Sequence, residues 1–167
     1  RNSAHEHFCE QFARSTGGVV GYLRYNSGRR ISDNGEQLAG LLEQRYDHSG
    51  PISLIGHSMG GLLIRSALHV AQQRGHRWPQ NLRHVVCLGT PHHGAPLERI
   101  GNHANRLLKL SPYLKPFARL GELRSAGIQD LRYGNICAQD RQTQAADAVG
   151  DLRGDTPLSK GPRYLLV

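Results

Sequence analysis

The chain has 167 residues, 38% of them hydrophobic, and carries 21 basic against 13 acidic side chains for a formal charge of +8 at neutral pH. That length suffices for one domain with a sizeable core, no apolar run approaches the roughly 20 residues of a membrane helix, and Cys9, Cys87 and Cys137 contain no Cys-x-x-Cys pair, so no disulfide framework is expected. The basic excess is mostly arginine and is scattered, with only Arg29 and Arg30 adjacent and no recognition motif beside them, so no nucleic-acid partner is expected.

In chain order, Val19-Val20-Gly21-Tyr22-Leu23-Arg24-Tyr25 reads as a strand, followed by a turn rich in Asn, Ser and Gly. Asp33 with Glu36 three residues on has the form of a capping box, and the helix it opens places Leu38, Leu41, Leu42 and Tyr46 on one face. A short strand over 51–56 leads into a helix over 59–74. Leu62, Leu63, Ile64, Ala67, Leu68, Val70 and Ala71 make that helix apolar around much of its circumference, and Gly75 with Pro79 beyond it closes it. Another strand spans 84–88, and Cys87 within it should be buried. Short apolar strands separated by amphipathic helices imply right-handed crossovers and a mostly parallel sheet covered on both faces, an α/β fold.

The pattern changes over 98–160. Leu107, Leu108, Leu110, Leu114, Phe117, Leu120 and Leu123 fall in helical steps interrupted by Pro112 and Pro116, and the stretch from Gln129 to Lys160 turns polar. A connection of about sixty residues is far longer than a crossover requires. It reads as a helical excursion over the sheet edge, either a lid or substrate cap or a solvated insertion. A last strand, 163–167, completes a single domain spanning 1–167. Both ends look cut, since the chain opens on Arg1 and closes on a strand that would ordinarily continue.

The most informative segment is Ile52-Ser53-Leu54-Ile55-Gly56-His57-Ser58-Met59-Gly60-Gly61, an apolar strand running through Gly-x-Ser-x-Gly into a helix. A serine at such a strand-to-helix turn is strained and exposed to substrate, and small residues two positions either side avoid collisions; Gly56 and Gly60 occupy those positions. The helix directs its free N–H groups and positive end at the serine, so Ser58 is the candidate nucleophile and the Met59 backbone N–H an oxyanion donor.

A serine nucleophile needs a base, normally a histidine oriented by a carboxylate, and in this architecture the order is serine, acid, histidine. All ten histidines lie at or before His103, and no Asp or Glu falls between Ser58 and Leu97. Only Glu98 followed by His103 meets the order, and five residues apart on a helix they cannot reach Ser58 from two separate loops. The triad acid and histidine are therefore expected beyond Val167, or the protein is not a working serine hydrolase. His57 adjoins the serine, but adjacent residues on a sharp turn point different ways, so it is read as a packing or site-shaping position rather than as the base. His92 and His93, in Thr90-Pro91-His92-His93-Gly94-Ala95-Pro96, stand on a loop at the same sheet edge and are read as shaping the site; no third ligand has metal-binding spacing. Arg65, on the helix after the elbow, reads as a surface or interface residue. No metal or other cofactor is expected.

Leu54-Ile55-Gly56-His57-Ser58-Met59-Gly60-Gly61-Leu62 together with Cys87-Leu88-Gly89-Thr90-Pro91-His92-His93-Gly94-Ala95-Pro96 resembles α/β-hydrolase lipases and esterases. The chain is closest in look to bacterial proteins similar to the GPI inositol-deacylase α/β domain and to related serine esterases. Tyr22-Leu23-Arg24-Tyr25-Asn26-Ser27-Gly28 and Gly127-Ile128-Gln129-Asp130-Leu131-Arg132-Tyr133-Gly134 are also similar to such members. The resemblance implies a partial α/β-hydrolase fold and a hydrolase of carboxylic esters, perhaps lipids. Ser58 would be its nucleophile, with the substrate a small-molecule or lipid ester and contact with a membrane surface a further option. It places a second oxyanion donor on a loop after an earlier strand, the acid after the strand that ends at Val167, and the histidine after the next. Two alternatives share these residues: an acyltransferase using the same elbow, and a non-catalytic binding module. With no signal peptide visible, the compartment stays open, with the cytoplasm as default.

Overall fold

The computed structural model describes residues 3–47, 50–93, 125–142 and 161–167. The apolar run after Pro51 forms strand β1 (Ile52–His57), the helix behind it is α3 (Met59–Gln73), and a single 3-10 turn (Trp78–Asn81) leads into β2 (Leu82–Leu88). Before them stand α1 (Ser3–Thr16) and α2 (Ile31–Arg45); after them come α4 (Ala126–Tyr133), α5 (Gln139–Gln142) and β3 (Arg163–Leu166). Among the described residues the sheet is three-stranded, in the order β1-β2-β3, and both pairings are parallel, with Leu54 opposite Val85 and Val85 opposite Tyr164. This is the α/β arrangement the strand and helix alternation implies.

The core lies between α2, α3 and one face of the sheet. Ile31, Asn34, Gly35, Leu38 and Ala39 of α2 are buried, the i, i+3, i+4, i+7, i+8 pattern of a helix with one covered face. Leu38 and Ala39 meet Leu63, Ile64, Ala67, Leu68 and Ala71 of α3, with Trp78, Leu82, Val85 and Cys87 beneath them. A second cluster joins Ile31, Met59 and Leu62 to Ile128, Leu131 and Ile136, so α4 and the turn after it pack directly behind the start of α3. Tyr25 lies against both clusters, and burial raises the pKa of its hydroxyl.

Several sequence expectations are corrected. Among the described residues 19–25 form no ladder, with Val19 100% and Tyr22 68% exposed, although their composition is of β type. The capping box does not form either. α2 begins at Ile31, Asp33 lies within its first turn, and Glu36 instead pairs with Arg74 of α3. Leu41 faces solvent. Among the described residues helices cover one face of the sheet; on the other, Ile55, Leu88 and Leu165 are largely open. The stretch that begins at Gln129, polar by composition, supplies buried Asp130, Asn135, Ile136 and Asp140. Of the helical excursion, α4 and α5 are helices; Leu107 to Leu123 lie outside the described residues.

α2 and α3 approach closely because small residues face each other. A methyl group on Gly35 would overlap the Ser66 side chain, lying 2.5 Å from Ser66 Cβ and 3.0 Å from its backbone carbon. Gly35→Ala should therefore destabilise the protein despite alanine's better helix propensity of about 1 kcal/mol, because overpacking of this kind costs about 1–3 kcal/mol. A lowered urea midpoint at unchanged slope is the expected result; an unchanged or raised midpoint would show that the two helices separate freely.

Candidate active site

β1 ends at His57 and α3 begins at Met59, so the chain must reverse within one residue. Ser58 makes that turn at φ 53°, ψ −120°, and it is the one non-glycine residue with positive φ among those described. Such backbone costs about 1–3 kcal/mol and persists where its surroundings over-determine it. Here the Ser58 N–H donates to the Leu88 carbonyl at 2.8 Å, and the Gly61 N–H donates to the Ser58 carbonyl at 3.1 Å. Gly56 is sterically required, since a methyl there would stand 2.6 Å from the Gly60 carbonyl carbon and 2.7 Å from the Gly61 nitrogen.

The second close approach is not at Gly60, as the pentapeptide pattern suggests. Gly60 has open space where a side chain would be, whereas a methyl on Gly61 would collide with Thr90, 2.7 Å from its Cγ2. The small residue that matters on the far side of the serine lies one position later, because it is the loop after β2 that presses on α3.

Ser58 is half-buried, and Met59 behind it is only 2% exposed, held among Ile31, Leu62, Ile128, Leu131 and Ile136. As the first residue of α3, Met59 has a backbone N–H without an acceptor in its own helix. His57 lies on the sheet face that the described helices leave open, in register with Leu88 and on the same side as Ile55, and is exposed. His92 and His93 stand on the loop after β2, at the strand ends where Ser58 lies; His93 is exposed and His92 half-buried. Arg65, read from sequence as a surface or interface residue, is half-buried and turns to this loop, its Nη1 3.3 Å from His92 Nδ1. Burial, then the Arg65 charge, then His93 hold the His92 pKa below its usual value. Cys87 is buried as expected; burial pushes its thiol pKa up, against the Arg65 charge and the Thr90 hydroxyl.

Two buried carboxylates escaped the sequence reading. Asp130 Oδ2 accepts the Ile31 N–H at 2.9 Å, and its Oδ1 lies 3.7 Å from the Arg30 guanidinium, so a side chain from α4 caps α2. Asp140 Oδ2 accepts the Ile136 and Cys137 N–H groups at 2.8 and 3.0 Å. The signal for the first was the Gly127 to Gly134 segment. A side chain on Gly127 would overlap the Ser27 and Arg29 carbonyl oxygens, and Gly134 ends α4 at φ 69°. Among the described residues no group of three His, Cys, Asp or Glu side chains could hold a metal ion, and no helix is long and apolar enough to cross a membrane.

A parallel sheet carrying a strained serine between a strand and the helix behind it defines an α/β-hydrolase-type domain. The family model of the PGAP1-like alpha/beta domain matches residues 30–152, from the start of α2 through the elbow and the segment beyond α5. The chain belongs to that family, a GPI inositol-deacylase-like branch of the α/β hydrolases. Neither the curated proteins nor the solved structures yield a match.

Proposed function

We propose that this protein is a serine hydrolase of carboxylic esters, lipid esters among them, acting through an acyl-enzyme on Ser58. The observation that carries the reading is the Ser58 backbone at φ 53°, ψ −120°. A strained conformation over-determined by its neighbours is the mark of a functional position, and here it lifts a hydroxyl out of the end of β1 at the N-terminus of α3. The hydroxyl oxygen would attack the ester carbonyl carbon, its proton passing to a base. The carbonyl oxygen would take up the charge and accept the Met59 N–H. The tetrahedral intermediate would collapse with loss of the alcohol, which takes a proton, and water would then release the acid by the same two steps.

The test is covalent. A fluorophosphonate ester offered to the natural full-length protein should add one phosphonyl group, displacing fluoride, and peptide mapping should place it on Ser58. Absence of an adduct, or an adduct elsewhere, rejects the nucleophile. Acyltransfer through the same elbow separates from hydrolysis by product analysis with water and an alcohol as competing acceptors.

A further inference from the structure

α3 and the loop after β2 meet at three places that fall in step. The Ser58 N–H reaches the Leu88 carbonyl at 2.8 Å, Gly61 packs without clearance on Thr90, and Arg65 Nη1 meets His92 Nδ1 at 3.3 Å. Ser58 is the N-cap of α3, and residues 58, 61 and 65 are three and four apart, hence on one side of it, while Leu88, the last residue of β2, Thr90 and His92 are two apart along the chain. Seven helical residues rise about 10 Å. Four extended residues reach at most about 14 Å, and the loop is shortened by the turn in which the His92 N–H donates to the Thr90 carbonyl at 2.9 Å. The two strips thus run side by side over matching lengths, and the Arg65–His92 contact closes the far end of a register whose near end is the strained serine.

We propose that Arg65 and His92 are positioning residues of the serine site. Their contact keeps the 88–93 loop in register on α3 and so keeps Ser58 in its strained conformation, with its hydroxyl and the Met59 N–H aligned. This rests on the reading of Ser58 as nucleophile.

The chemistry of the pair adds a condition. A guanidinium only donates hydrogen bonds, so Nδ1 of His92 must accept, which assigns the ring as neutral with its proton on Nε2. Protonation removes that acceptor and sets a second cation beside Arg65. The groups facing the imidazole are Arg65 from α3 and His93 on its own loop, with the Cys87 thiol of β2 within reach of the same guanidinium charge. Burial, then the Arg65 charge, then His93 favour the neutral ring. Acidification should therefore open the contact through an ionisation distinct from that of the general base.

The experiment compares kcat and KM on a short-chain p-nitrophenyl ester, and the rate of fluorophosphonate labelling, for the full-length protein and its Arg65→Met, His92→Ala and double variants. It adds His92→Asn, which keeps an acceptor near the Nδ1 position and cannot become charged. Misplacing reacting groups by about 1 Å can cost on the order of 100-fold. Arg65→Met and His92→Ala should thus lower kcat and labelling by about 10- to 100-fold with KM within about twofold, and the double variant should be no slower than the slower single. His92→Asn should keep kcat near that of the parent and shed one ionisation from the acid limb. Single variants that stay within about twofold of the parent kcat, losses that multiply in the double, or an acid limb unchanged in His92→Asn would overturn the proposal. Should a single variant fail to fold on near-UV circular dichroism, the His92→Asn pH profile decides. A parent protein that neither turns over ester nor labels at Ser58 rejects the nucleophile reading, and this proposal falls with it.

Discussion

Ser58→Ala is expected to reduce kcat for ester hydrolysis by about 10⁴- to 10⁶-fold while leaving KM within a few-fold, and to abolish labelling by a fluorophosphonate. The size follows from what the hydroxyl does. Without it no acyl-enzyme forms, and the remaining catalysis comes from binding and from oxyanion donors, worth about 10³- to 10⁴-fold over water in comparable serine enzymes. The alanine keeps Cβ, so the constraints on the turn, the Ser58 N–H to the Leu88 carbonyl and the Gly61 N–H to the residue 58 carbonyl, remain available, and the melting temperature should hold or rise as the cost of the strained polar site eases. Ser53→Ala is the matched control. Ser53 lies on the uncovered face of β1, where its hydroxyl meets His84 at 3.2 Å, and its loss should leave turnover and labelling untouched. Equal activity of Ser58→Ala and parent would remove the elbow from the chemistry altogether.

What could be read in the sequence is what is decided within a few residues. The strand-turn-helix at 52–73 is local: an apolar run, a glycine that backbone atoms crowd, a serine at the bend, and a helix whose buried positions recur with helical period. The parallel sheet followed from alternation of such units. What could not be read depends on partners far along the chain. Residues 19–25 have the composition of a strand but no ladder among the described residues. In place of the capping box at Asp33 and Glu36, the Ile31 N–H at the start of α2 is met by a carboxylate ninety-nine residues further along the chain. Gly61 rather than Gly60 proved the crowded position because Thr90, on another loop, presses there. Arg65 reads as a surface or interface residue, and nothing on its own helix shows that His92 is the group it meets.

The longest of these couplings yields the second large effect. Asp130→Ala should destabilise the protein by about 3 kcal/mol, read as a lowered denaturant midpoint, while Asp130→Asn should cost about 1 kcal/mol. Asp130 is only 2% exposed, and the Ile31 N–H that it receives belongs to the first residue of α2, also buried. Alanine leaves that donor without its acceptor, a loss of about 1–3 kcal/mol, and removes a negative charge from a helix N-terminus, typically worth 0.3–1 kcal/mol. The Arg30 pairing adds little, because that guanidinium side chain is 38% exposed and solvent screens it. Asparagine keeps an acceptor and loses the charge, so the difference between the two variants separates the hydrogen bond from the electrostatics. The same substitution reaches the site. Asp130 holds α4 onto α2, and α4 supplies Ile128 and Leu131 to the cluster that backs Met59. Loosening that clamp should lower the labelling rate of Ser58 in step with stability in Asp130→Ala, and hardly at all in Asp130→Asn. A full labelling rate in a destabilised Asp130→Ala would show that the elbow is held by the 88–93 loop alone.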